Sequence, residues 1–207
     1  MPLVYQQNIN AVTKLGVWNI TEAEDFFAEK VMLQKEISHP HKRLQHLAAR
    51  HLLTILFKDF PLPLIQIADT RKPFLPNEAF HFSISHCGNY AAAIASKTNR
   101  VGIDIEIPQQ KIVRLQHKFV TDKEKDVLCS QFANDTIALT IGWSIKEAMF
   151  KWYGTGEVDF KEHLNIISLE KEDNFFNAHC LLKKNGKIAL TVSGTLFSGN
   201  SLVWLVS

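Results

Sequence analysis

Trp143-Ser144-Ile145-Lys146-Glu147-Ala148-Met149-Phe150-Lys151-Trp152-Tyr153-Gly154 is the stretch on which the reading of this chain turns. Residues three and four apart share one face of a helix. Ile145, Ala148, Met149 and Trp152 therefore form an apolar stripe, which predicts a helix laid on a core. Glu147 and Lys151 stand one turn apart on another side. By themselves they read as an ordinary i, i+4 ion pair worth about 0.3–0.5 kcal/mol. Lys146 is turned about 100° from Glu147, and its role stays open at this point.

Upstream, Val101-Gly102-Ile103-Asp104-Ile105-Glu106 predicts a strand. Alternation sends Asp104 and Glu106 to one face and Ile103 and Ile105 to the other. The plain reading is a strand with a polar outer face. The alternative is a cation site, since two carboxylates together call for solvent, a cation or a metal. Magnesium suits such a pair, because it takes one or two carboxylates and completes its shell with water and substrate phosphate. Glu147 becomes a third ligand if its helix packs beside this strand.

Working outward, residues 3–9 and 11–18 predict two short strands. Thr21 with Glu24 has a capping-box pattern, opening a helix expected over residues 22–36. Ser38-His39-Pro40 ends it, and a second helix is expected over residues 41–57. Leu44, Leu47, Ala48, Leu52 and Ile55, with His51, form its inward side. Arg43, His46 and Arg50 fall on another face, either as solvated charge or as a cradle for phosphates. Short apolar runs at 64–68, 80–85, 90–96 and 101–105 predict strands, followed by helices at 111–118, 121–129 and from about 135. Four more strands are expected at 164–169, 176–182, 187–193 and 201–206, with Asn185-Gly186 marking a hairpin turn. The class is α+β.

The 207 residues, 46% hydrophobic and 21% charged, describe an ordinary globular chain. A net charge of +2 does not mark a general nucleic-acid binder, though it leaves room for a local basic pocket. Three widely spaced cysteines suggest neither a disulfide framework nor a metal knuckle. No signal peptide and no spanning segment are read, so a cytoplasmic protein without membrane partners is expected.

Two further groups carry possible chemistry. Ser85-His86 ends a predicted strand; adjacent strand residues face opposite sides, which argues against a serine–histidine nucleophile pair and leaves anion binding open. Lys72, before Pro73, lies in extended backbone, where it is surface charge or a phosphate contact.

Together, Lys72-Pro73, Ser85-His86, Gly102-Ile103-Asp104-Ile105-Glu106 and Trp143-Ser144-Ile145-Lys146-Glu147-Ala148 resemble, in that order, the motifs of the 4′-phosphopantetheinyl transferase superfamily. The resemblance is to its long, surfactin-synthetase-activating (Sfp-type) branch and covers roughly residues 42–153. Arg71 departs from it, standing where the family usually has glycine. The resemblance implies a pseudo-two-fold pair of similar α+β halves, here 1–107 with the basic helix and first acidic motif, and 108–207 with the Trp-Ser-Ile-Lys-Glu-Ala helix. It implies transfer of 4′-phosphopantetheine from coenzyme A to a serine of an apo acyl or peptidyl carrier protein, with release of 3′,5′-ADP. Asp104, Glu106 and Glu147 would hold Mg²⁺, with Glu147 the base and Lys151 a catalytic phosphate contact. Arg43, Arg50, Lys72, Ser85, His86 and Lys151 would hold the phosphates of coenzyme A. Two halves in one chain imply a monomer. The competing readings are a non-catalytic coenzyme A or carrier-protein binder and a Mg²⁺-dependent nuclease. The nuclease is disfavoured because Pro108 stands where a Glu-x-Lys pattern needs its lysine, and because no basic stripe is seen.

Overall fold

The computed structural model describes residues 2–33 and 36–207, which form two compact units, Met1–Val101 and Gly102–Ser207. Both combine helices with antiparallel strands, as expected of an α+β chain.

In the first unit β1 (Leu3–Asn10) and β2 (Thr13–Asn19) form a hairpin. A short α1 (Glu24–Ala28) and a long α2 (Pro40–Leu56) follow. The two-residue pair β3 (Gln66–Ile67) and β4 (Pro73–Phe74) precedes β5 (His81–Cys87) and β6 (Tyr90–Ser96). The main sheet runs β1-β2-β6-β5. Leu47, Ala48, Leu52, Leu53 and Leu56 of α2 are buried in one core with Ala91, Ala93 and Ala95 of β6. His51 is buried against Trp18, Phe26 and Phe27, a core histidine rather than a ligand.

Two expectations here need correcting. The helix foreseen over 22–36 is only the five residues of α1, and its stretch at Gln34 and Lys35 lies outside the described residues. No capping box opens it: Ala23 is the N-cap, while the Glu24 carboxylate goes to Arg43 at 2.6 Å. At its end the Lys30 amide donates to the Phe27 carbonyl at 2.9 Å, and the Phe26 carbonyl, left without that amide, accepts from the Lys30 ammonium at 2.7 Å. The strand foreseen at 64–68 shrinks to β3, since Pro61 and Pro63 hold Leu62–Leu64 in a 3₁₀ turn.

The second unit opens with β7 (Val101–Glu106). Then come α3 (Lys111–Leu115), a 3₁₀ turn at Gln116–Lys118, α4 (Asp122–Gln131) and α5 (Asp135–Tyr153). β8 (Leu164–Glu172), β9 (Phe175–Leu182), β10 (Ile188–Phe197) and β11 (Asn200–Val206) complete it. The sheet order is β7-β11-β10-β9-β8. Because β7 pairs in this sheet, Asp104 and Glu106 fall in the second unit, the division lying between Val101 and Gly102 where the sequence suggested one after Ile107.

α5 is capped at both ends. The Asn134 side chain accepts from the amide of Ile137, and Gly154 closes the helix in the left-handed region at φ 77°. Ile145, Ala148, Met149 and Trp152 are all buried against strands that contribute Leu164, Ile166, Val192, Val203 and Leu205. The Thr121–Glu124 capping box is present at α4. Among the described residues no helix is long and apolar enough to cross a membrane.

Candidate active site

Two motifs far apart in sequence meet where β7 crosses α5. Gly102 permits the approach: a Cβ there would collide with the carbonyl oxygen of Ala148 and lie 3.0 Å from the amide nitrogen of Trp152. With strand and helix backbones this close, side chains one turn further along the helix reach the strand's carboxylates.

Lys151, in the last turn of α5, places Nζ 2.7 Å from Asp104 Oδ1 and donates to the Ile103 carbonyl at 3.1 Å. Asp104 is almost fully buried, whereas Glu106, at the end of β7, is half-buried. The i, i+4 expectation thus gives way to a longer-range partner: the lysine's direct bond is to the strand, and its pull on Glu147 is electrostatic.

Glu147 is half-buried, and its carboxyl is pushed up to about 7. Burial is the main cause; the negative charges of Asp104 and Glu106 add to it, and Lys151 opposes it. The three expected acids therefore feel one another, and the first two share a strand face. As the side chains stand, no three His, Cys, Asp or Glu among the described residues form a group able to hold a metal ion, and the Asp104 carboxylate is turned to an ammonium.

Lys146 is fully buried on the side of α5 away from these acids. Its Nζ meets Glu124 Oε1 at 2.7 Å and donates to the carbonyls of Phe119 at 2.6 Å and Phe160 at 2.9 Å. Trp143, one turn earlier, packs edge-on to Phe119 and tilted on Phe160, each with centroids 5.2 Å apart. Sequence reasoning left the role of Lys146 open and did not pair it with Glu124.

The remaining expected residues lie in the first unit. Arg43 is committed to Glu24 at 2.6 Å and to the Ile37 carbonyl at 2.8 Å, which makes it part of that unit's own architecture. Arg50 is different. It is 5% exposed, its Nη1 has no hydrogen-bond partner, and burial draws the guanidinium down to about 10. Lys72 is half-buried and drawn down to about 8, chiefly by burial and secondarily by the charge of Arg100. Ser85 is buried and His86 exposed, on opposite sides of β5.

Residues 100–200, which contain both acidic motifs, match the 4′-phosphopantetheinyl transferase superfamily. The chain belongs to that superfamily. It is similar to enterobactin synthase component D of Escherichia coli K12, 28% identical over 161 residues that make up 73% of this chain and 76% of that protein. A putative 4′-phosphopantetheinyl transferase of Haemophilus influenzae is 30% identical over 148 residues, 69% of this chain and 61% of its own. Enterobactin synthase component D of Salmonella typhi is 31% identical over 113 residues, 53% of this chain and 47% of its own. Membership supplies the reaction class, transfer of a phosphopantetheinyl group, with coenzyme A as its donor.

Proposed function

We propose that this chain, as a member of the Sfp-type branch, transfers 4′-phosphopantetheine from coenzyme A to a serine of an apo acyl or peptidyl carrier protein, with Mg²⁺, and releases 3′,5′-ADP. The observation that carries the reading is the meeting of Asp104, Glu106, Glu147 and Lys151 where Gly102 lets β7 approach α5.

The donor set fits magnesium in kind. Three carboxylates are hard oxygen ligands, and Glu147, raised chiefly by burial and secondarily by the charges of Asp104 and Glu106, is a group whose ionised form a cation would stabilise. Asp104, Glu106 and Glu147 would hold the ion once Asp104 exchanges its ammonium partner for it. A Mg²⁺ ion held there would supply charge neutralisation to the pyrophosphate of coenzyme A.

The chain's own residues do the rest. We assign Glu147 as the base that takes the serine proton; holding the cation would draw its carboxyl back below about 7, so it would act as the carboxylate at neutral pH. The serine Oγ forms a P–O bond to the phosphopantetheinyl phosphorus as the bond to 3′,5′-ADP breaks, and the leaving phosphate takes up the displaced charge. Lys151, released from Asp104, supplies a cation to that phosphate; such transfers depend on positioning and neutralisation more than on covalent help. In the first unit we assign Arg50, Lys72, Ser85 and His86 to the phosphates of coenzyme A. Arg50 is the best supported, being a buried guanidinium with an unfilled donor. Arg43 is left to Glu24.

The test is incubation with coenzyme A, Mg²⁺ and a panel of apo carrier proteins, read by mass spectrometry. A phosphopantetheine mass gain on the carrier, lost in Glu147→Ala, is expected. Coenzyme A binding with no gain on any carrier would sink the reading and favour a non-catalytic binder.

A further inference from the structure

Lys146 and Glu124 form a closed ionic node that the proposed chemistry does not use. Both side chains are buried, at 0% and 4% exposure. The three protons of the ammonium have three acceptors: Glu124 Oε1, the Phe119 carbonyl and the Phe160 carbonyl. The Glu124 carboxylate is equally occupied. Its Oε1 accepts from the amide of Ile166 at 2.9 Å, and its Oε2 accepts from the Thr121 amide at 2.8 Å and the Thr121 hydroxyl at 3.0 Å. The node therefore ties α5 to the segment before α4, to α4's first turn, to the loop around Phe160 and to β8.

Such a node is a poor way to gain stability. Desolvating two charges offsets most of their attraction, and an apolar pair of similar volume is often as good or better. Burial lowers the Lys146 ammonium despite its carboxylate partner, which is the same cost seen from the proton. What directional bonds offer is geometry. The stripe Ile145, Ala148, Met149 and Trp152 decides which face of α5 meets the sheet, but apolar contacts tolerate sliding and rotation. Three bonds at the tip of one side chain do not. Lys146 is the residue before Glu147, so any rotation of the helix there turns Glu147 away from Asp104 and Glu106 and draws Lys151 off Asp104.

We infer that Lys146, held by Glu124, is a positioning residue that sets the rotation and axial placement of α5 on which Glu147 and Lys151 depend. The inference rests on the transferase reading for its kinetic consequence, but not for its structural one.

Lys146→Met alone would strand a buried carboxylate, so the informative variant is the neutral pair Lys146→Met/Glu124→Gln. Expected is a cooperatively folded protein whose kcat is lowered about 10- to 100-fold with KM for coenzyme A unchanged, because misplacement by about 1 Å costs rates of that order. The Mg²⁺ concentration for half-maximal rate rises, and amide hydrogen exchange across residues 145–152 speeds up relative to the rest of the unit. A folded pair variant with unaltered kcat and unaltered exchange overturns the inference. So does a pair variant that no longer folds, since the node is then a stability element. If the unsubstituted protein modifies no carrier, the functional reading fails, and the exchange measurement alone decides the positioning role.

Discussion

The Lys151 ammonium and the Asp104 carboxylate, 47 positions apart in sequence, meet at 2.7 Å, with the lysine a quarter exposed and the aspartate almost fully buried. This pair converts two separate sequence motifs into one site. On the proposed function it also sets up a competition, because the same carboxylate would be wanted by a cation and the same ammonium by a phosphate.

Lys151→Ala removes one side of that competition. Breaking a buried pair by deleting one partner costs about 3–5 kcal/mol, and the lysine's partial exposure places this case at or below the lower end. Chemical denaturation without metal should show this loss, and saturating Mg²⁺ should recover part of it by neutralising Asp104 in the lysine's place. Turnover should fall about 10²–10³-fold even with Mg²⁺, the range for losing one preorganised charge-stabilising group. A stability change with normal turnover would make Lys151 purely structural.

Gly102→Ala tests the crossing itself. The new methyl collides with a backbone oxygen, which no rotamer change can clear, so β7 and α5 must separate. A loss of about 1–3 kcal/mol is expected from such overpacking, together with a sharp fall in transfer. Ala148→Gly should not rescue it, because the obstructing atom is the Ala148 carbonyl and not its side chain. Recovery in the double variant, by thermal melting and mass-shift assay, would place the obstruction elsewhere.

Glu147 gives the metal-free protein a pH signature. Its carboxyl is near 4.5 when unfolded and about 7 when folded, so the folded state holds the extra proton. Stability is therefore fully present at acidic pH and lost as pH rises from about 4.5 through 7. Glu147→Gln should abolish that slope and leave the metal-free protein more stable than the parent at pH 8, while eliminating transfer. Parallel pH–stability curves for the two proteins would show that the carboxyl is not held in its protonated form.

Much of this arrangement was legible from residue spacing, and the gaps have physical causes. The α5 stripe is local, so periodicity found its helix. Failures came where a side chain had a distant alternative. Glu24 matched a capping box, yet Arg43 lies 19 residues on and takes the carboxylate, which undid the predicted helix start. Lys146 was overlooked because a charged residue in a helix is usually solvated. The available signal was its place beside Ile145 with Trp143 one turn before it, which left it little route to water. Gly102 drew no separate reading inside its strand, and only the neighbouring helix shows why a side chain is forbidden there.

Lys72 makes the last prediction, in which stability and binding run in opposite directions. Burial and the nearby charge of Arg100 draw its ammonium from 10.5 to about 8 in the folded chain. Between about pH 8 and 10.5 the unfolded chain therefore binds more protons than the folded one, and stability rises with pH across that window. Coenzyme A should behave oppositely, because a phosphate contact needs the charged lysine and is lost as pH rises through about 8. Calorimetric titration of coenzyme A from pH 7 to 9 should show weakening that is absent in Lys72→Met, whose affinity is lower and flat. Lys72→Met should also lose the rising limb of the stability curve. If the parent's affinity is independent of pH across 8 while its stability limb persists, Lys72 is a buried lysine of the first unit and not a phosphate contact.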